Sequence, residues 1–309
     1  MSYSYNYIFG FLVAASLLCT VISPAQSAIP TRGMKKLFDI NTAGNAVLSK
    51  PTDVAVDENN IFIVDGDNNR IVVFNKRGEF EREFGTYGTK QGQFNYPVGI
   101  GLDEESNIYV ADTRNHRVQV FDEDGDHQRT IKTVIKGTSV RPVDVAVSKD
   151  QKRLYVSTKA NKLIVYKING KKLHVIGQSG TERGEFRFPG SVYAMSNGRV
   201  GVIDILNFRL QVLNKNGKFS YQVGDFGVRP GLLIRPKGIA LDKRGQIYLS
   251  DSYMDVIQVY SNSGKFKYVI GHSGVPLRVQ ASAGIAIDKQ NRLFVTEVFA
   301  NRVSVYQLE

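Results

Sequence analysis

Pro97-Val-Gly-Ile-Gly-Leu-Asp103, Ile108-Tyr-Val-Ala-Asp112 and Arg117-Val-Gln-Val-Phe121 are three short apolar segments separated by polar turns. Their β-branched and aromatic residues, with apolar and polar positions alternating, are typical of β-strands. The turn that follows them, Asp122-Glu-Asp-Gly125, predicts a hairpin into a fourth strand. The stretch therefore predicts four antiparallel strands in chain order.

The same pattern occurs six times along the chain. The copies start at Pro51, Pro97, Pro142, Pro189, Pro236 and Ser282. Their spacings are 46, 45, 47, 47 and 46 residues, and no stretch shows sustained helical periodicity. A fixed period of this length with four short strands per repeat indicates propeller blades. The predicted fold is all-β, a six-bladed β-propeller of four-stranded antiparallel blades.

The sixth copy is incomplete at its C-terminal end. Residues 302–309 form its third strand, and no chain follows for a fourth. Residues 35–40 are similar to residues 265–270, the outer strand of the fifth copy. Because an open ring would expose unpaired strand edges, we expect the N-terminal strand to close the last blade. The first ordered strand should then pair beside Val303–Tyr306.

The repeats at residues 97–121 and 236–251 resemble NHL repeats, and the resemblance extends over residues 34–309. It implies a six-bladed propeller. The family includes peptide-amidating lyases, RNA-binding regulators and exported bacterial proteins, so the fold alone does not determine the function.

The first 31 residues contain no charged side chain. An apolar run from Tyr7 to Ile22 is followed by small residues, which favours a signal peptide over 1–28 and a single propeller domain over 29–309. An uncleaved membrane anchor is the alternative. We expect a periplasmic or extracellular monomer that contacts the membrane only if the leader is retained. Cys19 is the only cysteine, so the mature domain should contain no disulfide.

An acidic residue ends most of the second strands, five positions before an arginine. The pairs are Asp65/Arg70, Asp112/Arg117, Asp204/Arg209 and Glu297/Arg302. This repetition favours a structural role, in which each pair stabilises a tight turn. The third copy has Ser157 and Lys162, and in the fifth copy Asp251 faces Val256 with Asp255 nearby. Such departures indicate either tolerated variation or a functional site.

The channel at the propeller axis is the candidate place for a metal. The four histidines occupy different positions of the repeat, so they predict no zinc site. Asp53 and Asp144 stand where three other copies have glycine, and with Ser191 they could hold a channel cation such as calcium. No other cofactor is expected. This pair supports an alternative function, a metal-assisted lyase or hydrolase acting in the channel.

The loops between second and third strands and the loops between blades should share one face, which we call the top face. The loops between second and third strands are polar in copies 1–3 and become apolar in copies 4–6. The candidate partner-binding residues are Leu206, Phe208, Asp251, Tyr253, Met254, Asp255, Val298 and Phe299, with Val228, Leu232, Leu233, Val275, Pro276 and Leu277 beside them. The loops either expose an apolar patch or pack inward on one another.

These patterns favour an exported, non-catalytic scaffold that binds a protein or peptide of the cell envelope through blades 4–6. A structural protein that only spaces a larger complex is a third possibility. Nucleic acid is not expected as a partner, because the basic loops adjoin acidic residues and lack the stacking aromatics of such surfaces.

Overall fold

The computed structural model describes residues 29–148, 150 and 152–309, so the predicted leader, 1–28, lies outside the described residues. Almost all regular structure is β-strand. The helical segments of the described chain are single 3₁₀ turns at Thr113–Asn115, Ile205–Asn207 and Val298–Ala300. In this part of the chain no helix is long and apolar enough to cross a membrane. The predicted all-β class is confirmed.

In blades 1 to 5 the four antiparallel strands run in chain order from the channel outward, and in blade 6 the N-terminal strand takes the outermost place. Blades 1 to 3 consist of Pro51–Val56, Asn60–Asp65, Arg70–Asn75 and Phe80–Phe84; Pro97–Leu102, Ile108–Asp112, Arg117–Phe121 and His127–Lys132; and Pro142–Val147, Arg153–Thr158, Lys162–Lys167 and Lys172–Ile176. Blades 4 and 5 consist of Pro189–Ala194, Val200–Asp204, Arg209–Leu213 and Phe219–Val223; and Pro236–Leu241, Ile247–Asp251, Val256–Tyr260 and Phe266–His272. Blade 6 consists of Ser282–Ile287, Arg292–Glu297, Arg302–Leu308 and the N-terminal strand Met34–Ile40.

The N-terminal strand closes the ring. Met34–Ile40 pairs antiparallel with Arg302–Leu308, with Ile40 opposite Val303. One expectation was wrong in detail, because the first strand of the described chain is Thr31–Arg32 and it lies on blade 5. It runs parallel to the outer strand there, with Thr31 opposite Val269. The chain thus covers part of the outer edge of blade 5, an edge that would otherwise be unpaired, before it enters blade 6.

The core lies between the blades. Each pair of neighbouring blades buries its own apolar cluster, and the cluster between blades 6 and 1 is built like the other five. In it Phe294 and Val303 of the last blade pack with Ile61 and Val72 of the first. Closure therefore buries apolar surface in the same way as every other blade contact.

The loops between blades are of two kinds. Three contain short hairpin pairings, formed by Thr42–Ala43 with Ala46–Val47, by Val134–Ile135 with Thr138–Ser139, and by Val275–Pro276 with the end of Phe266–His272. The other three are longer, and each inserts one fully buried side chain, which is Phe94, Phe186 or Leu233. A glycine at positive φ (Gly85, Gly177 or Gly224) lies against each inserted side chain, where a Cβ atom would collide with it.

Candidate functional site

The acids that end the second strands are structural, as the repeated pairs predicted. Asp204 is fully buried and accepts hydrogen bonds from the Arg187 backbone N–H (2.7 Å), Asn207 Nδ2 (2.8 Å) and Arg209 Nε (3.0 Å). It therefore joins the turn after its own strand to the loop that arrives from the preceding blade. The same ion pairs form at Asp65/Arg70 (2.8 Å), Asp112/Arg117 (2.7 Å) and Glu297/Arg302 (3.0 Å). These contacts fix the geometry of the top face.

Asp251 ends the second strand of blade 5 but has no arginine five residues later. It still holds the top-face loops, through different hydrogen-bond donors. Its carboxylate is fully buried and accepts the backbone N–H groups of Ile234 (2.7 Å), Tyr253 (3.0 Å) and Met254 (3.1 Å). Backbone donors thus replace the missing arginine. Asp255 has a left-handed backbone, with φ of 54°, and accepts the Ala281 N–H at 2.8 Å. Both carboxylates organise the loops through backbone hydrogen bonds, so neither is free to contact a partner.

The apolar top-face loops of blades 4–6 are partly open to solvent. Leu206, Tyr253 and Phe299 are 49%, 63% and 78% exposed. They are joined by three exposed residues of the blade-joining loops, Phe226, Val228 and Val275. We call these six residues the apolar patch.

The other candidates of these loops are less exposed. Phe208 is half-buried and packs its ring against Phe226, with centroids 4.7 Å apart. The remaining half-buried residues are Leu232, Met254, Pro276, Leu277 and Val298, while Leu233 belongs to the core. Both expected arrangements therefore occur, with some loop side chains packed inward and others exposed.

The large exposed apolar side chains are unevenly distributed over the molecule. Besides the patch they include Val47 and Tyr87 in other top-face loops, and Leu37, Phe80 and Leu173 on outer strands. Across the described ranges, none lies in a turn of the opposite face, which we call the bottom face. Most of the large exposed apolar side chains therefore lie on the top face.

A cavity of about 370 Å³ lies at the top mouth of the channel, beside the patch. Phe188, Ile205 and Phe299 contribute apolar walls. The charged side chains that line it, Lys159, Arg235 and Lys237, are all cationic. The top mouth is therefore an apolar pocket with positive charge on its wall.

Lys237 is the distinctive residue of this mouth. It occupies the second position of its inner strand, where the other blades have Thr52, Val98, Val143, Gly190 and Ala283. Burial lowers its pKa, and the neighbouring Arg235 and Lys159 lower it further. Within the described part of the chain no carboxylate pairs with Lys237. Sequence reasoning missed this residue, although a comparison of the six equivalent positions would have found it.

Lys159 adds to the positive charge of the mouth. Its ammonium lies 5.8 Å from the centre of the Phe188 ring, a cation–π contact. Burial lowers the pKa of Lys159, and Arg141 and Arg114 lower it further. Both lysines of the cavity wall are thus held in surroundings that disfavour their charge.

Asp53 and Asp144 lie below the mouth and connect inner strands. Asp53 Oδ2 accepts the Ile100 N–H of blade 2 (3.0 Å), and Asp144 Oδ2 accepts the Val192 N–H of blade 4 (2.8 Å). Glycines at neighbouring positions leave room for the two carboxyl groups. Burial raises the pKa of Asp53 to about 7, and burial together with the charge of Asp53 raises the pKa of Asp144. The two acids clamp neighbouring blades together.

These residues do not fit a metal centre well. In each carboxyl group the other oxygen also accepts a backbone N–H, from Val54 or Val145. Among the residues that the structure describes, no three His, Cys, Asp or Glu side chains are grouped as metal ligands. Ser191 lines the channel beside the two acids. The channel cation stays a prediction that the donor set does not favour.

The bottom mouth has the opposite charge. A cavity of about 580 Å³ there is lined by Asp57, Glu58, Asp103, Glu104 and Asp288, with Lys289 beside them. Several of these acids hold turns or ion pairs. Asp57 Oδ1 accepts the N–H groups of Asn59 and Asn60, and Asp288 pairs with Arg292 at 2.8 Å.

Comparison with family models matches the NHL repeat at residues 48–74 and 94–121 and a 6-bladed beta-propeller family at residues 181–308. The six blades described above agree with these matches. The chain contains NHL repeats and folds as a six-bladed β-propeller. A search of curated protein sequences gives no match to this NHL propeller.

Solved structures share the fold at low sequence identity. A streptogramin B lyase is 9% identical with a TM-score of 0.65, over 89% of this chain and 98% of that one. A Bacteroides thetaiotaomicron protein of unknown function is 15% identical with a TM-score of 0.68, over 91% and 75%. Virginiamycin B lyase from Staphylococcus aureus is 13% identical with a TM-score of 0.59, over 92% and 97%. At these identities the likeness concerns the fold alone.

Proposed function

We propose that this NHL propeller is an exported, non-catalytic scaffold that binds a protein or peptide of the cell envelope through the top-face loops of blades 4–6. The observation that carries the proposal is the concentration of large exposed apolar side chains on that face. Large apolar side chains that are exposed together on one face of a protein typically mark an interaction site.

The energetics of the patch are sufficient for specific binding. Full burial of a large apolar side chain contributes about 1.5–3 kcal/mol, and the patch offers six such residues before the costs of association are subtracted. The loops are already ordered by buried carboxylates, among them Asp204, Asp251 and Glu297. Little conformational entropy is therefore lost when a partner binds.

The roles of the acidic residues support a scaffold more than an enzyme. The carboxyl groups of Asp53 and Asp144 hold inner strands together, and the acids that end the second strands hold loops. Each of these carboxyl groups thus has a structural role.

A comparison of baits tests the scaffold function. The mature chain, the variant Phe226→Ser/Phe299→Ser and the control Leu37→Ser/Leu173→Ser, whose substitutions lie on outer strands, are used to capture proteins from an envelope extract. Candidates found by mass spectrometry are then purified, and their affinities are measured by calorimetry. We expect a direct partner that binds the top-face variant at least about tenfold more weakly and the control normally, since two buried aromatic contacts are lost. Equal affinities for all three chains would refute the proposed surface.

Export is tested separately by cell fractionation and by the intact mass of the purified protein. The small residues before Ile29 predict a mature chain that starts between positions 25 and 29. An intact N-terminus in the membrane fraction would show an uncleaved anchor. A full-length protein in the cytoplasmic fraction would contradict export.

A further inference from the structure

The top mouth combines an apolar pocket with cations that have no ion-pair partner among residues 29–148, 150 and 152–309. Phe188, Ile205 and Phe299 line a cavity of about 370 Å³, a volume within the usual range for small-molecule and side-chain pockets. Lys159, Arg235 and Lys237 supply its charged lining, and none of the described residues in its wall is an acid. An apolar ligand without charge would leave these cations uncompensated.

We propose that this cavity binds the C-terminal residue of a partner polypeptide, with the apolar side chain between Phe188 and Phe299 and the terminal carboxylate on Lys237. The inference rests on the proposed function and adds the chemistry that the partner must present. A chain end suits this position because the cavity lies at the centre of the ring, with blades on every side. An internal segment of a partner chain would have to enter and leave through the same mouth, whereas a chain terminus only has to enter it.

The electrostatics favour a carboxylate at Lys237. Burial, Arg235 and Lys159 all disfavour the charged ammonium, so an incoming anion relieves repulsion as well as forming an ion pair. A charge-assisted hydrogen bond in such a partly buried position is stronger than a neutral one.

The chain contains no tryptophan, so an indole-bearing probe can be followed without background. The probes are three tripeptides: Ac-Ala-Ala-Trp with a free carboxylate, its C-terminal amide, and Ac-Ala-Glu-Trp amide, which carries a side-chain carboxylate instead. Each is titrated with the mature chain while the anisotropy of the indole emission is recorded. We expect the free acid to bind about tenfold more tightly than either amide, a difference typical of one charge-assisted hydrogen bond.

Three variants test whether the preference for the free acid arises at Lys237. Lys237→Met should bring the ratio of the acid and amide affinities close to one, because it removes the cation that pairs with the carboxylate. Lys237→Arg, which keeps a cation at the same place, should retain the preference. Lys218→Met makes the same change of charge at an exposed position on the bottom side of blade 4, and it should bind as the wild type does.

Several results would overturn the inference. They are equal binding of acid and amide by the wild type, binding of none of the probes at millimolar concentration, and an unchanged ratio in Lys237→Met. Equal binding of the glutamate-bearing amide and the free acid would overturn the chain-end assignment. A partner that still depends on Phe226 and Phe299 would leave the proposed function standing in each case, so the two failures are distinguishable.

Discussion

The two mouths of the channel differ in what their charges do. At the bottom mouth the acids hold local turns and ion pairs, as Asp57 and Asp288 illustrate. At the top mouth Lys237 is half-buried beside two other cations and has no acidic partner among the described residues. The comparison shows that the number of charged residues at a channel mouth does not by itself indicate a binding site. The top mouth differs because its lysines form no ion pairs within the described part of the chain and lie next to exposed apolar side chains.

The largest expected effect comes from opening the ring, which would disrupt both mouths of the channel. Deletion of residues 33–42 takes away the strand that completes blade 6, so the apolar cluster between blades 6 and 1 loses its cover. We expect the deletion variant to lose its cooperative unfolding transition in calorimetry and circular dichroism. An unchanged melting temperature would contradict closure by the N-terminal strand.

The next effect concerns the framework of the top face. Asp204→Asn breaks the buried pair with Arg209 and weakens the link between two top-face loops. Leaving one partner of a buried ion pair uncompensated costs about 3 kcal/mol, which urea denaturation would measure. The matched control is Asp67→Asn, since Asp67 pairs with Lys50 in an exposed position and its replacement should change little. Equal effects of the two substitutions would contradict the role of Asp204.

A third prediction concerns pH and the acids between the two mouths. Burial raises the folded-state pKa of Asp53 to about 7, so between about pH 4 and pH 7 the folded chain holds a proton that the unfolded chain has lost. Asp53 therefore makes the protein less stable as the pH rises through this interval, by on the order of 4 kcal/mol, and Asp144 acts in the same direction.

Denaturation at several pH values checks this sign. The slope should disappear in Asp53→Asn/Asp144→Asn, whose stability at low pH falls because backbone N–H groups lose carboxyl acceptors. An identical pH slope in the wild type and the double variant would contradict the raised pKa values.

The smallest expected effect on stability is at the patch itself. Phe299→Ser should change the free energy of unfolding by less than about 0.5 kcal/mol, because this side chain is 78% exposed. Phe294→Ser, five residues earlier and fully buried, should cost about 3–5 kcal/mol. A large loss of stability in Phe299→Ser would mean that the patch belongs to the core and is not a free surface.

The period of the sequence was enough to predict the ring, its six blades and its closure, because strand length and turn chemistry repeat in register. It could not predict the strand Thr31–Arg32, since two residues carry no periodic signal. It also left open which loop side chains pack inward. Leu233 and Val228 occupy one loop, yet Leu233 is buried and Val228 is exposed. That outcome depends on backbone turns within the loop, which composition does not determine.

The candidate site was only partly predictable for a similar reason. Asp251 was noticed because it breaks a repeated pair, but its backbone donors become visible only in three dimensions. Lys237 breaks a repeated pattern as well, and its signal was present in the sequence. A position filled five times by small or uncharged residues and once by lysine is a departure that the fold does not require.

The most direct test determines which mouth of the channel binds the peptide. Amide hydrogen exchange of the mature chain is measured by mass spectrometry with and without saturating Ac-Ala-Ala-Trp. We expect slower exchange at the top mouth, in residues 205–208, 235–238 and 298–301, with no change at residues 57–60, 103–107 and 288–291 of the bottom mouth. Protection confined to the bottom mouth, or no protection at either, would contradict it.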